Sequence, residues 1–282
     1  MPFSLLCCVS DKTFDADEKP SSRNGYSASS NSAIATAGPS SPTVKTPASK
    51  PKSKGKPEPY AANRAQELFD AYADEDDKEV IGAEGFERLC SDAGLPLDGA
   101  LPLVLSWQLD ASDMGQISRE QWTKGTSALQ ISNLHALTTC LTDLENLLLL
   151  EQEPVKRGSK GVNVPYNREQ YFKYADDRKS AFGKLYAFCF ILAKQGESRN
   201  IQMDIASAFW SVLLAQRYPL MKELLEFIAE KGTYKFVTKD MWNMTWEFVQ
   251  LTDPNLENYD EAEAWPTLID EFVAWKKAKA ST

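Results

Sequence analysis

From Tyr60 onward the apolar side chains recur at helical spacing, and this periodicity limits the fold more than any other feature of the sequence. Ile205, Ala208, Phe209, Val212 and Leu213 stand at relative positions 0, 3, 4, 7 and 8, one stripe of a helix. Trp265, Leu268, Ile269, Phe272 and Val273 repeat the pattern near the C-terminus. Leu68, Phe69 and Tyr72 share a face in the first such segment, and Met241, Trp242 and Phe248 give a later one an aromatic face. The segment from Ile131 to Leu150 reads as one long helix, and Glu151 to Pro165 as a polar loop. Asp204 and Thr238 read as N-caps, and Pro266 suits the first turn of the last helix. No segment alternates apolar and polar residues as a half-buried strand would. The body is expected to be all-α.

Residues 1–59 lack that pattern. They hold eight of the fifteen prolines, twelve serines and few large apolar side chains, too little to offset the entropy of ordering. A disordered Ser/Pro/Lys-rich tail over 1–59 and a folded body over 60–282 are expected, and Lys45 to Lys56 reads as a basic linker. The tail has eight Lys/Arg against five Asp/Glu, a charge of +3; the body has 23 against 35, a charge of −12. An acidic body repels nucleic acid and anionic membrane and suits a basic protein partner.

Several chemistries drop out on composition. A single histidine, His135, rules out His-pair zinc sites and disfavours His-driven acid–base catalysis. Five cysteines, with no Cys-x-x-Cys, fit reduced thiols in the cytoplasm and nucleus, and Cys90 reads as a helical core residue. No run of about 18 apolar residues occurs, so no membrane span is expected. Pro2 stands where N-myristoylation needs glycine; Cys7 and Cys8, beside Phe3, Leu5 and Leu6, are candidates for acylation and membrane association. No cofactor is expected.

Two segments approach the calcium-loop pattern of oxygen ligands at positions 1, 3 and 5, Gly at 6 and Glu at 12. Counting from Asp74 puts Lys78 at 5, Glu79 at 6 and Gly85 at 12. Counting from Asp110 keeps Gly115 at 6 and Ile117 at 8, but puts Met114 at 5 and Gln121 at 12. Both read as EF-hand-like scaffolds without metal. The stretch from Asp240 to Trp275 is the most distinctive: nine carboxylates, no Lys or Arg, and four of the seven tryptophans. Like charges without counter-charges repel one another, which calls for a basic partner to neutralise the face.

The run Lys239-Asp-Met-Trp-Asn, followed by Asn258-Tyr-Asp-Glu-Ala-Glu-Ala-Trp-Pro-Thr-Leu-Ile-Asp-Glu-Phe-Val, resembles the signature of the defective-in-cullin-neddylation family. Leu68-Phe-Asp-Ala-Tyr, Ile81-Gly, Ser106-Trp107 and Ala208-Phe-Trp210 extend the resemblance over residues 60–282, the family's potentiating-neddylation domain. The resemblance implies two helical subdomains, the first EF-hand-like without metal and the second carrying the acidic C-terminal face. It implies a scaffold ligase, without catalytic residues of its own, that promotes transfer of the ubiquitin-like neddylation modifier to a cullin lysine. Asp240, Ala264 and Asp270 match the acidic set that docks the cullin winged-helix region. Phe86, Leu105, Leu109, Ile117, Leu192, Phe209 and Val212 fall where the family has a pocket for the N-acetylated methionine of the conjugating enzyme, with Ala83, Ser106, Met114 and Gly115 near its rim. For any one of those seven, ordinary core is an equal reading. A cullin-associated RING protein would complete the assembly.

This sequence departs from the family where Glu263 replaces a common glycine, where Pro102 enters the pocket region, in the long loop from Glu151 to Pro165, and in a tail without a helical ubiquitin-binding module. Two other classes stay open on sequence: a calcium-responsive EF-hand-like adaptor and a carboxylate hydrolase.

Overall fold

The computed structural model describes residues 58–158, 164–194, 196 and 198–281. The tail with Cys7 and Cys8, apart from Glu58 and Pro59, lies outside them. In order, the described elements are α1 (Ala62–Asp70), β1 (Val80–Ile81), α2 (Ala83–Asp92), α3 (Leu101–Gln108), β2 (Ile117–Ser118), α4 (Arg119–Leu129), α5 (Leu134–Leu148), α6 (Glu169–Asp176), α7 (Arg178–Ala193), β3 (Ile201–Gln202), α8 (Met203–Leu213), α9 (Pro219–Lys231), β4 (Phe236–Val237), α10 (Lys239–Leu251) and α11 (Thr267–Ala280). The body is all-α apart from four two-residue strands. Strands this short cannot display a period of two, which is why the sequence did not reveal them.

The strands pair as two antiparallel clips. In the first, Ile81 lies opposite Ile117. These are position 8 of the two degenerate loops, so the clip joins the two loops. The second clip joins Ile201 to Val237 and Gln202 to Phe236, and each of its strands runs directly into a helix. Both loops of the first pair are closed by their own hydrogen bonds. Asp74 Oδ1 accepts from the Gly82 amide at 3.0 Å. Gln121 accepts from the Ser118 amide at 2.8 Å and donates to the Asp110 carbonyl and to Ser112 Oγ at 3.2 Å each. The residue at position 12 thus serves as half of a capping box for α4.

Four of the eleven described helices, α4, α5, α7 and α10, start at a side-chain N-cap. Asn133 caps α5, so that helix starts three residues after Ile131. Asp177 caps α7, and Thr238 caps α10 through the Met241 amide at 3.1 Å, as the sequence indicated. Asp204 does not cap α8. The Met203 amide bonds the Lys235 carbonyl across the second clip, the helix starts there, and Asp204 falls within the first turn. Pro266 is the N-cap of α11 rather than a first-turn residue. Pro102 sits in the first turn of α3, where its missing N–H is not needed. No helix among the described residues is long and apolar enough to cross a membrane.

One buried cluster runs through both clips and the helices around them. At its centre, the Tyr186 ring stacks on Trp242 with centroids 4.4 Å apart, and Trp210 stacks on the same indole at 5.4 Å. Tyr186 Oη donates to the Trp242 carbonyl at 2.7 Å and accepts from the Trp210 indole at 2.8 Å. Burial pushes the Tyr186 hydroxyl well above its ordinary pKa, so it remains a neutral donor. Tyr186→Phe keeps the rings but strands a buried indole N–H. We expect a loss of roughly 1–3 kcal/mol and a fall of a few degrees in Tm, read by thermal denaturation. An unchanged Tm would mean that the network contributes nothing net.

Candidate functional site: an acidic corner at the C-terminus

The segment between α10 and α11 is tied back to α10 at its start. Asn258 Nδ2 donates to the Leu251 carbonyl at 2.6 Å, while Asn258 Oδ1 accepts from the Asp253 amide at 2.7 Å. Leu256, with φ of 61°, turns its side chain into the core. At the far end, Trp265 packs edge-on against Phe248 of α10 at 5.6 Å, and Phe272 of α11 meets the same ring at 6.0 Å. The Asn258-Tyr259 and Trp265-Pro266 parts of the motif are therefore anchors, and the acidic residues between them are held outward.

Asp270 is exposed on the first turn of α11, where a carboxylate is favoured by the helix dipole. Its Oδ1 accepts from Tyr259 Oη at 2.6 Å. Burial, then the hydrogen bond and charge of Asp270, push the Tyr259 hydroxyl upward in pKa, so it stays a donor. Beside it, Glu271 accepts from Tyr234 Oη at 2.8 Å. Ala264 is exposed directly before Trp265, leaving room for a partner's side chain. Asp240 is exposed on the first turn of α10. Phe248, eight residues further along that helix, packs against Trp265 at the corner.

The corner is less naked than the sequence indicated. Lys277, just past the Lys-free stretch, reaches back to Glu261 at 2.9 Å and lies 5.7 Å from the centre of the Tyr259 ring. No local sequence pattern marks the roles of Tyr259, Asn258 and Lys277. Tyr259 and Asn258 stand inside the motif, but only the folded chain pairs them with Asp270 and Leu251. Asp253, Glu257, Asp260, Glu263 and Asp270 remain without a cationic partner among the described ion pairs.

The residues assigned to the methionine pocket are placed differently. Phe86, Leu105, Leu109, Ile117, Leu192 and Phe209 are all at most 4% exposed, within the core cluster. Val212 is half-buried and lines an open cavity of about 470 Å³ with Ala100, Leu149 and Leu225. Glu145 also lines it, its carboxyl pushed up in pKa by burial. Of the rim residues, Ala83 is exposed, Met114 half-buried, and Ser106 and Gly115 buried. Cys90, Cys140 and Cys189 are buried, and burial, with the Glu87 charge adding to it, pushes the Cys90 thiol up to about 12. A thiol in that state is a poor nucleophile at neutral pH.

Residues 166–275 match the family described as cullin binding, a segment that contains Asp240, Ala264 and Asp270. DCN1-like protein 4 of Homo sapiens is 32% identical over 222 residues, covering 79% of this chain and 65% of that protein. DCN1-like protein 4 of Danio rerio is 31% identical, covering 78% of this chain and 68% of the relative. DCN1-like protein 5 of Homo sapiens is 30% identical over 225 residues, covering 80% and 82% respectively. With two of these relatives, DCN1-like protein 4 of Danio rerio and DCN1-like protein 5 of Homo sapiens, spanned over more than two thirds of their length, and with its acidic corner inside the cullin-binding match, the chain belongs to the DCN1-like family.

Proposed function

We propose that this chain is a scaffold co-ligase: it binds a cullin and the neddylation conjugating enzyme and promotes transfer of the ubiquitin-like modifier to a cullin lysine. The observation that carries this reading is the acidic corner, built by Tyr259, Trp265 and Phe248 inside the cullin-binding match, with Asp270 and Ala264 facing outward. A basic surface on the cullin winged-helix region would neutralise charges that repel one another in the free protein. The cavity beside Val212 and Leu225 would take the acetylated methionine of the conjugating enzyme. Burying one such side chain contributes roughly 1.5–3 kcal/mol, a modest affinity on its own. The acetyl cap removes an ammonium charge that would be costly to desolvate.

The mechanism is then one of geometry. Holding both partners raises their effective concentration and restricts the approach of the cullin lysine to the thioester. The chemistry stays with the conjugating enzyme and its RING partner, consistent with the buried thiols of Cys90, Cys140 and Cys189 among the described residues. No observation favours the calcium-responsive alternative: the two loops spend their oxygens on their own amides and side chains. A reconstituted cullin neddylation assay tests the proposal. Adding the chain should raise the initial rate severalfold at limiting conjugating enzyme, and an unchanged rate would sink it.

A further inference from the structure

A second concavity, sharing no residue with the acidic corner's Asp240, Ala264 and Asp270, has the opposite charge. It has a volume of about 420 Å³ and lies among the end of α5, the start of α7, the loop before α9 and the end of α10. Its cations are Arg178, Lys179 and Arg217, and its one carboxylate is Glu151. Glu151 is already engaged: its side chain pairs with Arg217 at 2.6 Å, and its carbonyl accepts from Arg178 at 3.3 Å. Arg178 and Lys179 have no carboxylate partner among the described ion pairs, and the neighbouring Asp177 is occupied in capping α7. The lining thus holds three cations against one carboxylate, on a body whose formal charge is −12.

The lining is aromatic. Phe182 and Trp246 lie with ring centres 5.2 Å apart, and Gly183 lets Trp246 approach α7, since a Cβ there would come within 3.3 Å of the indole. Trp246 and Tyr218 of this lining are each half-buried. The apolar surface runs on past the cavity: Leu251 on its wall is 58% exposed and Leu150 beside Glu151 is 42% exposed. A ligand confined to the cavity would leave Leu150 uncovered, whereas a chain passing through would cover both.

We propose that this concavity docks an acidic peptide segment of a partner protein, its apolar side chain packing on Trp246 and Leu251 and its carboxylates meeting Arg178 and Lys179. Electrostatics favour an anion here on an otherwise repelling body, and the aromatic lining selects one that carries an apolar group. The volume suits one or two side chains rather than a folded surface.

The test uses the full chain and the probe acetyl-Glu-Asp-Phe-Asp-Glu-amide, followed by calorimetry and by the indole N–H resonance of Trp246. The expected result is saturable binding that weakens with salt, shifts that resonance, and falls at least tenfold in the Arg178→Ala/Lys179→Ala double variant. Leu251→Ser, which removes the exposed apolar wall, should weaken binding a few-fold. Asp270→Lys should leave it unchanged, which separates this site from the cullin-docking corner. Equal binding of the neutral analogue acetyl-Gln-Asn-Phe-Asn-Gln-amide would overturn the proposal, as would full affinity in the double variant. Phenylacetate binding as tightly as the peptide would instead assign the cavity to a small organic acid and overturn the peptide assignment.

Discussion

Replacing Asp270 by Lys is expected to weaken binding of a cullin C-terminal fragment by roughly tenfold to a hundredfold while leaving the helical content unchanged. The carboxylate is exposed, so no buried charge is created and the fold is not at risk. The change removes an attraction to a basic surface and replaces it with repulsion; each tenfold corresponds to about 1.4 kcal/mol. It also removes the acceptor that Tyr259 Oη uses at 2.6 Å. Asp270→Asn keeps an acceptor but not the charge, so it should lose less. The comparison separates charge from positioning. Calorimetric titration at two salt concentrations reads the effect, and the loss should shrink as salt rises. Wild-type affinity in Asp270→Lys, together with undiminished stimulation of cullin neddylation, would refute the assignment of this corner.

The second large effect concerns the conjugating-enzyme surface, where Phe209 and Val212 are expected to behave oppositely. Phe209 is 1% exposed. Phe209→Arg would bury an unpaired guanidinium and leave the cluster unfilled, a cost of several kcal/mol. That variant is expected to lose most of its helical circular dichroism and both partners at once. Val212, half-buried at the open cavity, can be changed to Glu with the new carboxylate reaching solvent. Val212→Glu should bind the acetylated conjugating-enzyme peptide at least about tenfold more weakly, with cullin affinity and helical signal intact. A folded Phe209→Arg that fails only with the conjugating enzyme would place the pocket at Phe209 instead.

The reason these two neighbours diverge is instructive. Both sit on the stripe of α8 that sequence spacing picks out, three residues apart. Periodicity reports that a stripe is covered, not what covers it. Phe209 meets the core, while Val212 lies where the facing segments leave a gap lined by Ala100 and Leu225. The same blindness applies to α7, which is apolar on nearly every side and buries eight of its residues, so its sequence has no face to read.

The all-α class, the Thr238 cap and the acid-rich stretch after Asp240 were all in the sequence, because helical spacing and charge are properties of neighbouring residues. The two strand clips were not, since two residues cannot show a period and their pairing spans tens of residues. Nor could the sequence show that Lys277 offsets Glu261, or that Arg178, Arg217 and Trp246 meet around one cavity. Those facts depend on which faces pack together. Local periodicity creates the faces, and only the tertiary structure decides their partners, leaving some charges compensated and some cavities open.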